Sequence, residues 1–161
     1  MENKRTIDNI DQQILEILQS KARIPNAEIA RQVGMAPSAV LERIRKLESQ
    51  DIISGYEVRL NPDHFGQKLS AFVFVETDSP GCRSLAEKLA DIAGVQEIHQ
   101  VAGKDGYLMK LRVADTAALG RILRNEICNL DGVRNTHTQI VLSTIKETWK
   151  LNLTADHERT D

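Results

Sequence analysis

The sequence lacks the features that direct a protein to a membrane or out of the cell. Its 161 residues contain no apolar run near the roughly 18 residues of a membrane span. The polar start MENKRTIDNIDQQ has no apolar core of a signal peptide. Two cysteines, Cys82 and Cys128, show no metal-ligand spacing, and the four histidines do not cluster with them. We therefore expect a cytoplasmic protein with reduced thiols, no metal and no cofactor.

A strong net charge and the usual catalytic groups are also missing. The net charge is −2, with 9 Lys and Arg against 10 Asp and Glu up to Gly66, and 12 against 13 beyond it. Such a charge disfavours a nonspecific nucleic-acid coat, so any contact with a polyanion must come from local patches and from more than one copy of the chain. No nucleophile–base pair, carboxylate pair or phosphate-binding loop occurs in the sequence. The sequence therefore predicts no enzymatic activity.

Residues 26–50, NAEIARQVGMAPSAVLERIRKLESQ, predict two helices joined by a tight turn. Asn26 is the expected N-cap of the first helix, and Gly34 follows it where a left-handed residue is favoured. The second helix begins near Pro37, because proline fits the first turn of a helix. This arrangement, with a basic outer face on the second helix, is typical of a helix-turn-helix. The alternative is a helical hairpin of another small domain, with merely solvated charges.

The flanking segments complete the first half of the chain. Residues 7–20 form an apolar stripe at helical spacing, which predicts a first helix that packs on the hairpin. Residues 51–60 alternate apolar and polar side chains, which predicts a short strand or wing. The turn-rich stretch that follows is the expected linker.

Beyond Gly66 the pattern changes to β-α-β-β-α-β, which predicts a ferredoxin-like sheet with two helices on one face. The predicted strands are 69–77, 95–102, 107–113 and 133–145, and the predicted helices are 83–92 and 115–129, with a turn at 79–82. In the first strand, Val73 and Val75 point one way and Phe72 and Phe74 the other. Since helices cover one face, we expect a second copy on the other, giving a homodimer. The alternative is a curled sheet shielded by its own loops.

Taken together, these segments resemble the leucine-responsive regulatory protein/AsnC (feast/famine) family of transcription regulators. The resemblance is carried by IDNIDQQILEILQ, APSAVLERIRKLE, IISGYEVRLNPDHFG and VAGKDGYLMKLRV, in this order. It implies an α+β fold, with an N-terminal winged helix-turn-helix and a C-terminal ferredoxin-like βαββαβ sandwich. It also implies binding of double-stranded DNA, dimers that assemble to an octamer or other higher oligomer, a small-molecule effector and no enzymatic reaction.

The resemblance divides the chain into four parts. Residues 1–60 are the expected DNA-binding domain and 61–67 the linker. Residues 68–153 are the expected effector-binding and oligomerisation domain. Within it, residues 147–153 alternate apolar and polar side chains, which predicts an edge strand able to cross to a neighbouring copy. Residues 154–161 are expected to be a disordered tail.

The second helix of the motif then becomes the recognition helix. Its expected DNA contacts are Ser38, Ala39, Glu42, Arg43, Arg45 and Lys46. Arginine can bond a guanine edge with two hydrogen bonds, while serine and lysine suit phosphates. The sequence leaves open which arginine contacts a base, and whether Glu42 holds a neighbouring cation or accepts from cytosine.

The resemblance implies that the effector, an amino acid, binds near the loop between the two middle strands. The family pattern in this loop is Gly-x-x-Asp followed by an aromatic or aliphatic residue. Gly103 and Tyr107 match, but Gly106 replaces the aspartate and an acid comes one residue earlier, at Asp105. The expected effector residues are Gly103, Lys104, Asp105, Gly106 and Tyr107 in the loop, and Thr136, Thr138 and Gln139 in the last strand. The alternative is that Lys104–Gly106 is simply a hairpin turn.

Two other functions are alternatives to effector-dependent regulation. One is an architectural DNA-binding protein without an effector, which the replacement at Gly106 leaves open. The other is a sirohaem decarboxylase, a branch of similar sequences with a histidine- and arginine-rich stretch where this chain has a glycine loop. His99 and His137 should lie on opposite edges of the sheet, which disfavours a shared metal or haem site.

Overall fold

A computed structural model describes residues 7–78 and 83–153 of the chain. The described residues divide into two compact units: the first holds those up to Val58 and those from Thr148, and the second holds those between Arg59 and Glu147. The functional domain limits expected from the sequence stay a prediction, because compactness alone assigns no role to either unit. The predicted turn at 79–82, with Cys82, and the predicted disordered tail at 154–161 lie outside the described residues.

Three helices build the first unit: α1 (Asn9–Ser20), α2 (Asn26–Val33) and α3 (Pro37–Ser49). Asp8 caps α1, since its carboxylate accepts from the Asp11 backbone N–H at 2.8 Å. The N-cap of α2 is Pro25, so the predicted cap Asn26 is wrong and is instead the first helical residue. Gly34 ends α2 in the left-handed region with φ of 69°, as predicted, and lets the chain turn tightly into α3.

The core of this unit lies between the three helices. Ile14 of α1, Ile29 of α2 and Val40 of α3 are fully buried, which fixes the inner face of each helix. Leu153, far along the chain, packs against the same core. The backbone there is held by α1: Gln12 Nε2 donates to the Leu153 carbonyl at 3.2 Å, and Gln19 Oε1 accepts from the Leu151 N–H at 2.6 Å.

The second unit begins with a 3-10 helix at Pro62–Phe65 and continues as the predicted β-α-β-β-α-β order. Its elements are β1 (Leu69–Thr77), α4 (Arg83–Ala90), β2 (Val95–Gln100), β3 (Gly106–Val113), α5 (Thr116–Ile122), a π-helical turn (Leu123–Ile127) and β4 (Val133–Ile140). The four strands form one antiparallel sheet in the order β2-β3-β1-β4. The ferredoxin-like fold class is therefore confirmed.

The two faces of the sheet differ in their cover. Val73 and Val75 of β1 are fully buried in a core shared with Leu85 and Leu89 of α4. Phe72 and Glu76, at alternate positions of the same strand, point to the other face and are half-buried. We call this second side the open face, because no helix of the described chain packs on it. The predicted alternation along β1 is thus confirmed.

Several predicted limits differ from the structure. The last strand ends at Ile140 rather than at 145, and the predicted helix at 115–129 is the seven-residue helix α5 continued by the π-helical turn. The stretches 51–60 and 147–153, both predicted as strands, contain no strand in the described chain. A strand requires a hydrogen-bonded neighbour, and the chain supplies none at either place.

Candidate nucleic-acid interface and effector site

The outer face of α3 carries most of the predicted DNA contacts. Ser38, Glu42, Arg45 and Lys46 are exposed there, and Ala39 is half-buried at the edge of this face. Glu42 Oε1 and Lys46 Nζ lie 3.5 Å apart, one helical turn from each other, with 72% and 55% of their side chains exposed. The face therefore presents two cations, a hydroxyl and an acid that holds one of the cations.

Arg43 does not lie on this outer face. Its Nη1 is 2.7 Å from Asp8 Oδ2 and 2.7 Å from Asp11 Oδ1, and its side chain is 24% exposed. We call these three residues the Arg43 cluster. The hydrogen bonds that Arg43 donates, first to Asp8 and then to Asp11, raise the pKa of Arg43 above its ordinary value. The pKa of Asp8 is lowered by the backbone N–H of Asp11 and by Arg43.

The predicted effector loop forms the connection between β2 and β3. Gly103, Lys104 and Asp105 are exposed in this hairpin, and the Asp105 carbonyl accepts from the Thr77 N–H at 3.1 Å. This bond fixes the hairpin to the end of β1. It leaves the Lys104 and Asp105 side chains at the surface.

Gly106 is buried, and a side chain has no room there. A Cβ built on it would lie 2.2 Å from the Val75 carbonyl oxygen and 3.1 Å from Cζ of Phe74. Because the nearer atom is backbone, it cannot rotate away as a side chain could. The packing of β1 against this position therefore accommodates glycine and leaves no room for an aspartate side chain.

The remaining predicted effector residues are divided between the two faces of the sheet. Tyr107 is 4% exposed and pairs across with Val75, which pairs on its other side with Thr136. Thr138 is opposite Val73 and so shares the helix-covered face with Thr136. Gln139 alternates with them and belongs to the open face. The structure therefore brings Gly106, Tyr107 and Thr136 to one end of the sheet and does not bring Gln139 to the same face.

A cluster of charges at this end of the sheet was missed from the sequence. Glu76 Oε1 lies 3.3 Å from Lys104 Nζ and 3.1 Å from His137 Nε2, and Glu76 Oε2 lies 3.4 Å from Arg134 Nη2. We call these four residues the Glu76 cluster. The hydrogen bond from Lys104 is the main cause that lowers the pKa of Glu76. The available signal was the single acid that ends the apolar run AFVFVE.

The two strand histidines are far from forming a shared site. His99 lies on β2 and His137 on β4, which are the opposite edges of the sheet, as predicted. Across residues 7–78 and 83–153, no group of three or more histidine, cysteine or acidic side chains could hold a metal ion. Within the same ranges, no helix is long and apolar enough to cross a membrane.

Two family models match the chain, one in each half. Residues 7–48 match the AsnC-type helix-turn-helix domain, and residues 70–151 match the Lrp/AsnC ligand binding domain. The first match spans the three helices around the Arg43 cluster. The second covers the four-stranded sheet and the hairpin.

Relatives resemble the chain over most of its length. The leucine-responsive regulatory protein of Escherichia coli is 36% identical over 151 residues, which cover 91% of this chain and 92% of that protein. The structure of Escherichia coli AsnC is similar with a TM-score of 0.82 and 30% identity, over 89% of this chain and 97% of that one.

A feast or famine regulatory protein from M. tuberculosis, solved in complex with L-methionine, is similar with a TM-score of 0.82 and 32% identity over 91% of this chain and 99% of that one. These relatives are regulators of transcription and not enzymes. With both halves matched in order by family models and full-length relatives, the chain belongs to the Lrp/AsnC family of transcription regulators.

Proposed function

We propose that this regulator acts in the cytoplasm and binds double-stranded DNA sequence-specifically, with α3 in the major groove. The observation that carries the proposal is the outer face of α3, where Ser38, Arg45 and Lys46 are exposed while Val40 is fully buried on the inner face. An α-helix fits the major groove and presents its side chains to base edges. In this proposal Ser38 and Lys46 contact phosphates, and Arg45 is the arginine that contacts a base.

To test the proposal, the purified protein is used to select duplexes from a random-sequence library. An enriched duplex then serves as the DNA for the binding measurements. Lys46→Ala should weaken binding to every duplex and lower the slope of log affinity against log salt by about 0.9, because one phosphate contact is lost. Lys21→Ala, beyond the end of α1, is the matched control and should leave the slope unchanged. If the wild-type protein enriches no sequence, the proposal is wrong.

We propose further that a second copy of the chain covers the open face of the sheet, giving a homodimer that assembles to an octamer or other higher oligomer. Phe72, Phe74 and Leu108 are incompletely buried on this face. Large apolar side chains without cover are typical of an interface between subunits. A two-fold dimer carries two copies of α3, which suits a DNA site with two half-sites about one helical turn, roughly 34 Å, apart.

Paired substitutions on adjacent residues of β1 test the interface. Phe74→Asp places a charge on the open face and should reduce the mass measured by light scattering while thermal unfolding stays cooperative. Val73→Asp places the same charge in the fully buried core and should unfold the second unit instead. An unchanged mass for folded Phe74→Asp would exclude the open face as the interface.

The proposed effector is an amino acid that binds near the β2–β3 hairpin. Regulators similar to this chain are described in complex with L-methionine, one from Neisseria meningitidis and one from M. tuberculosis. In this chain Lys104 can pair with a carboxylate, and Asp105 with an ammonium group. The effector would shift the assembly equilibrium by its difference in affinity between the assemblies.

A thermal-shift screen against the standard amino acids tests this assignment. A ligand that binds the folded protein raises its melting temperature. Asp105→Ala should abolish the shift, whereas Lys88→Ala on α4 should preserve it. A second candidate, an architectural DNA-binding protein without effector, is favoured by Gly106 in place of the family aspartate, and it gains support if no amino acid shifts the melting temperature.

A further inference from the structure

Arg43 belongs to the helix that the proposed function places on DNA, yet its guanidinium is directed at α1. We infer that Arg43 is a positioning residue, which ties α3 to α1 through Asp8 and Asp11 and thereby sets the orientation in which α3 meets DNA. This inference rests on the proposed DNA binding by α3. According to this inference, two acidic residues are required for DNA binding, although acidic side chains by themselves repel DNA.

The geometry of the Arg43 cluster supports this role. One guanidinium nitrogen, Nη1, is within 2.7 Å of a carboxylate oxygen of both Asp8 and Asp11. Charge-assisted hydrogen bonds of this length are among the stronger polar contacts in proteins. Asp8 also caps α1, so the guanidinium is held at the first turn of that helix, 35 residues earlier in the chain.

Burial explains why Arg43 should stay in place when DNA binds. The Asp11 side chain is 0% exposed, and the Arg43 side chain is 24% exposed. If the guanidinium turned to a phosphate, it would remove this cation from a buried carboxylate, which is strongly unfavourable. Lys46, by contrast, is 55% exposed and can reach a phosphate without uncovering a buried charge.

The position of Arg43 along α3 makes the contact suitable for orientation. It lies midway in Pro37–Ser49, one residue from Glu42 on the outer face and one residue from Ile44, which is 6% exposed in the core. Side chains that contact a partner act best when neighbouring hydrogen bonds fix their element to within about 0.5 Å. The Arg43 cluster supplies such a fixed point between α1 and α3.

The test removes each acid separately in the full-length protein. Asp11→Asn and Asp8→Asn are compared with wild type for binding to a selected duplex and to a scrambled duplex of equal composition, over a range of salt concentrations. Asparagine also caps helices, so Asp8→Asn should retain α1. Circular dichroism and light scattering check the fold and the assembly of each variant.

The positioning role predicts weaker binding to the selected duplex, by on the order of ten-fold for Asp11→Asn and less for Asp8→Asn, as for a lost base contact. Binding to the scrambled duplex and the salt slope should stay near the wild-type values. Simple electrostatics predicts the reverse, because removal of an acid frees the guanidinium for a phosphate. Tighter binding to both duplexes, with a slope steeper by about 0.9, would therefore overturn the inference.

Other outcomes separate this inference from the proposed function. If Lys46→Ala weakens binding while both acid variants bind like wild type, α3 contacts DNA but Arg43 does not position it. If wild type binds no duplex, both proposals fail together. If Asp11→Asn does not fold, the test rests on Asp8→Asn. Weaker binding of Asp8→Asn to the selected duplex alone then supports the inference, and wild-type binding to both duplexes contradicts it.

Discussion

The two charged clusters of this protein are built in opposite ways. In the Arg43 cluster one cation lies between two carboxylates, and one of these, Asp11, is fully buried. In the Glu76 cluster one carboxylate, 12% exposed, lies among Lys104, Arg134 and His137, which are 56–69% exposed. The first cluster joins two helices of one unit. The second joins two strands and a hairpin at the end of the sheet.

The difference teaches how burial decides what an ion pair can do. A buried pair resists exchange of its partners, because separation leaves a charge in the protein interior. A pair whose cations are in solvent is weak and can exchange partners at small cost. We therefore expect the Arg43 cluster to act in stability and orientation, and the Glu76 cluster to respond to ions, pH and bound ligands.

The largest expected effect comes from breaking the Arg43 cluster. Arg43→Ala leaves the buried Asp11 carboxylate without its guanidinium and should lower the free energy of unfolding by roughly 3 kcal/mol. Arg31→Ala is the matched control, because Arg31 forms an exposed pair with Glu28 and its loss should lower the free energy of unfolding much less than Arg43→Ala does. Urea denaturation of both variants measures the difference, and equal values would show that burial does not separate these pairs.

A smaller effect is expected from crowding β1 at Gly106, which lies opposite Glu76 in the sheet. Gly106→Ala puts a Cβ 2.2 Å from the Val75 carbonyl oxygen, so β1 and β3 must separate slightly. The free energy of unfolding should fall by about 1–3 kcal/mol, as for other overpacked sites. Gly103→Ala is the companion variant, since no atom lies within 4 Å of a Cβ there, although its φ of 111° adds backbone strain. Chemical denaturation with amide exchange on β1 would locate the loss.

The smallest expected effect is a change in titration. Lys104→Ala should raise the pKa of Glu76 towards the ordinary value of 4.5, because the Lys104 hydrogen bond is the main cause of its lowering. Carboxyl carbon NMR measures this pKa directly. Lys21→Ala, in the other unit, should leave it unchanged. If Lys104→Ala does not move the pKa, the cluster is not coupled as its distances indicate.

The sign of the pH dependence follows from the same shift. Glu76 and Asp8 both have a folded-state pKa below the ordinary values of 4.5 and 3.8. Each therefore contributes stability that is present above its ordinary pKa and is lost as the pH falls through the lower folded-state pKa. In Lys104→Ala the folded-state pKa of Glu76 lies closer to its ordinary value. The stability lost between the ordinary and the folded-state pKa of Glu76 during acid unfolding should therefore be smaller in this variant than in wild type.

Local patterns predicted the fold well where neighbours in sequence decide the structure. The strand at Leu69–Thr77 has the predicted limits, and the helix Asn26–Val33 ends at Gly34 as predicted, because periodicity and a turn glycine mark them. The stretch 147–153 was wrongly predicted as a strand from the same kind of alternation. Glu147 instead pairs with Lys110 on β3, and its carbonyl accepts from Arg59 Nη2 at 3.3 Å.

The site was harder to predict because its contacts join distant residues. Arg43 was expected on the DNA-contacting face from its residue type, yet its partners lie 32 and 35 positions earlier. Glu76 contacts residues 28, 58 and 61 positions later. Helical and strand periodicities carry no information at these separations, so the direction of a charged side chain remains open until the elements pack.

The contact of Leu153 with the helical core has a consequence for protein synthesis. Gln12 and Leu153 are 141 residues apart, although they belong to the same compact unit. At ordinary rates of translation, the ribosome needs on the order of ten seconds to add that many residues. During synthesis, this part of the surface of the three helices therefore stays exposed until the second unit has been translated. The helical core is complete only when the segment around Leu153 has been added.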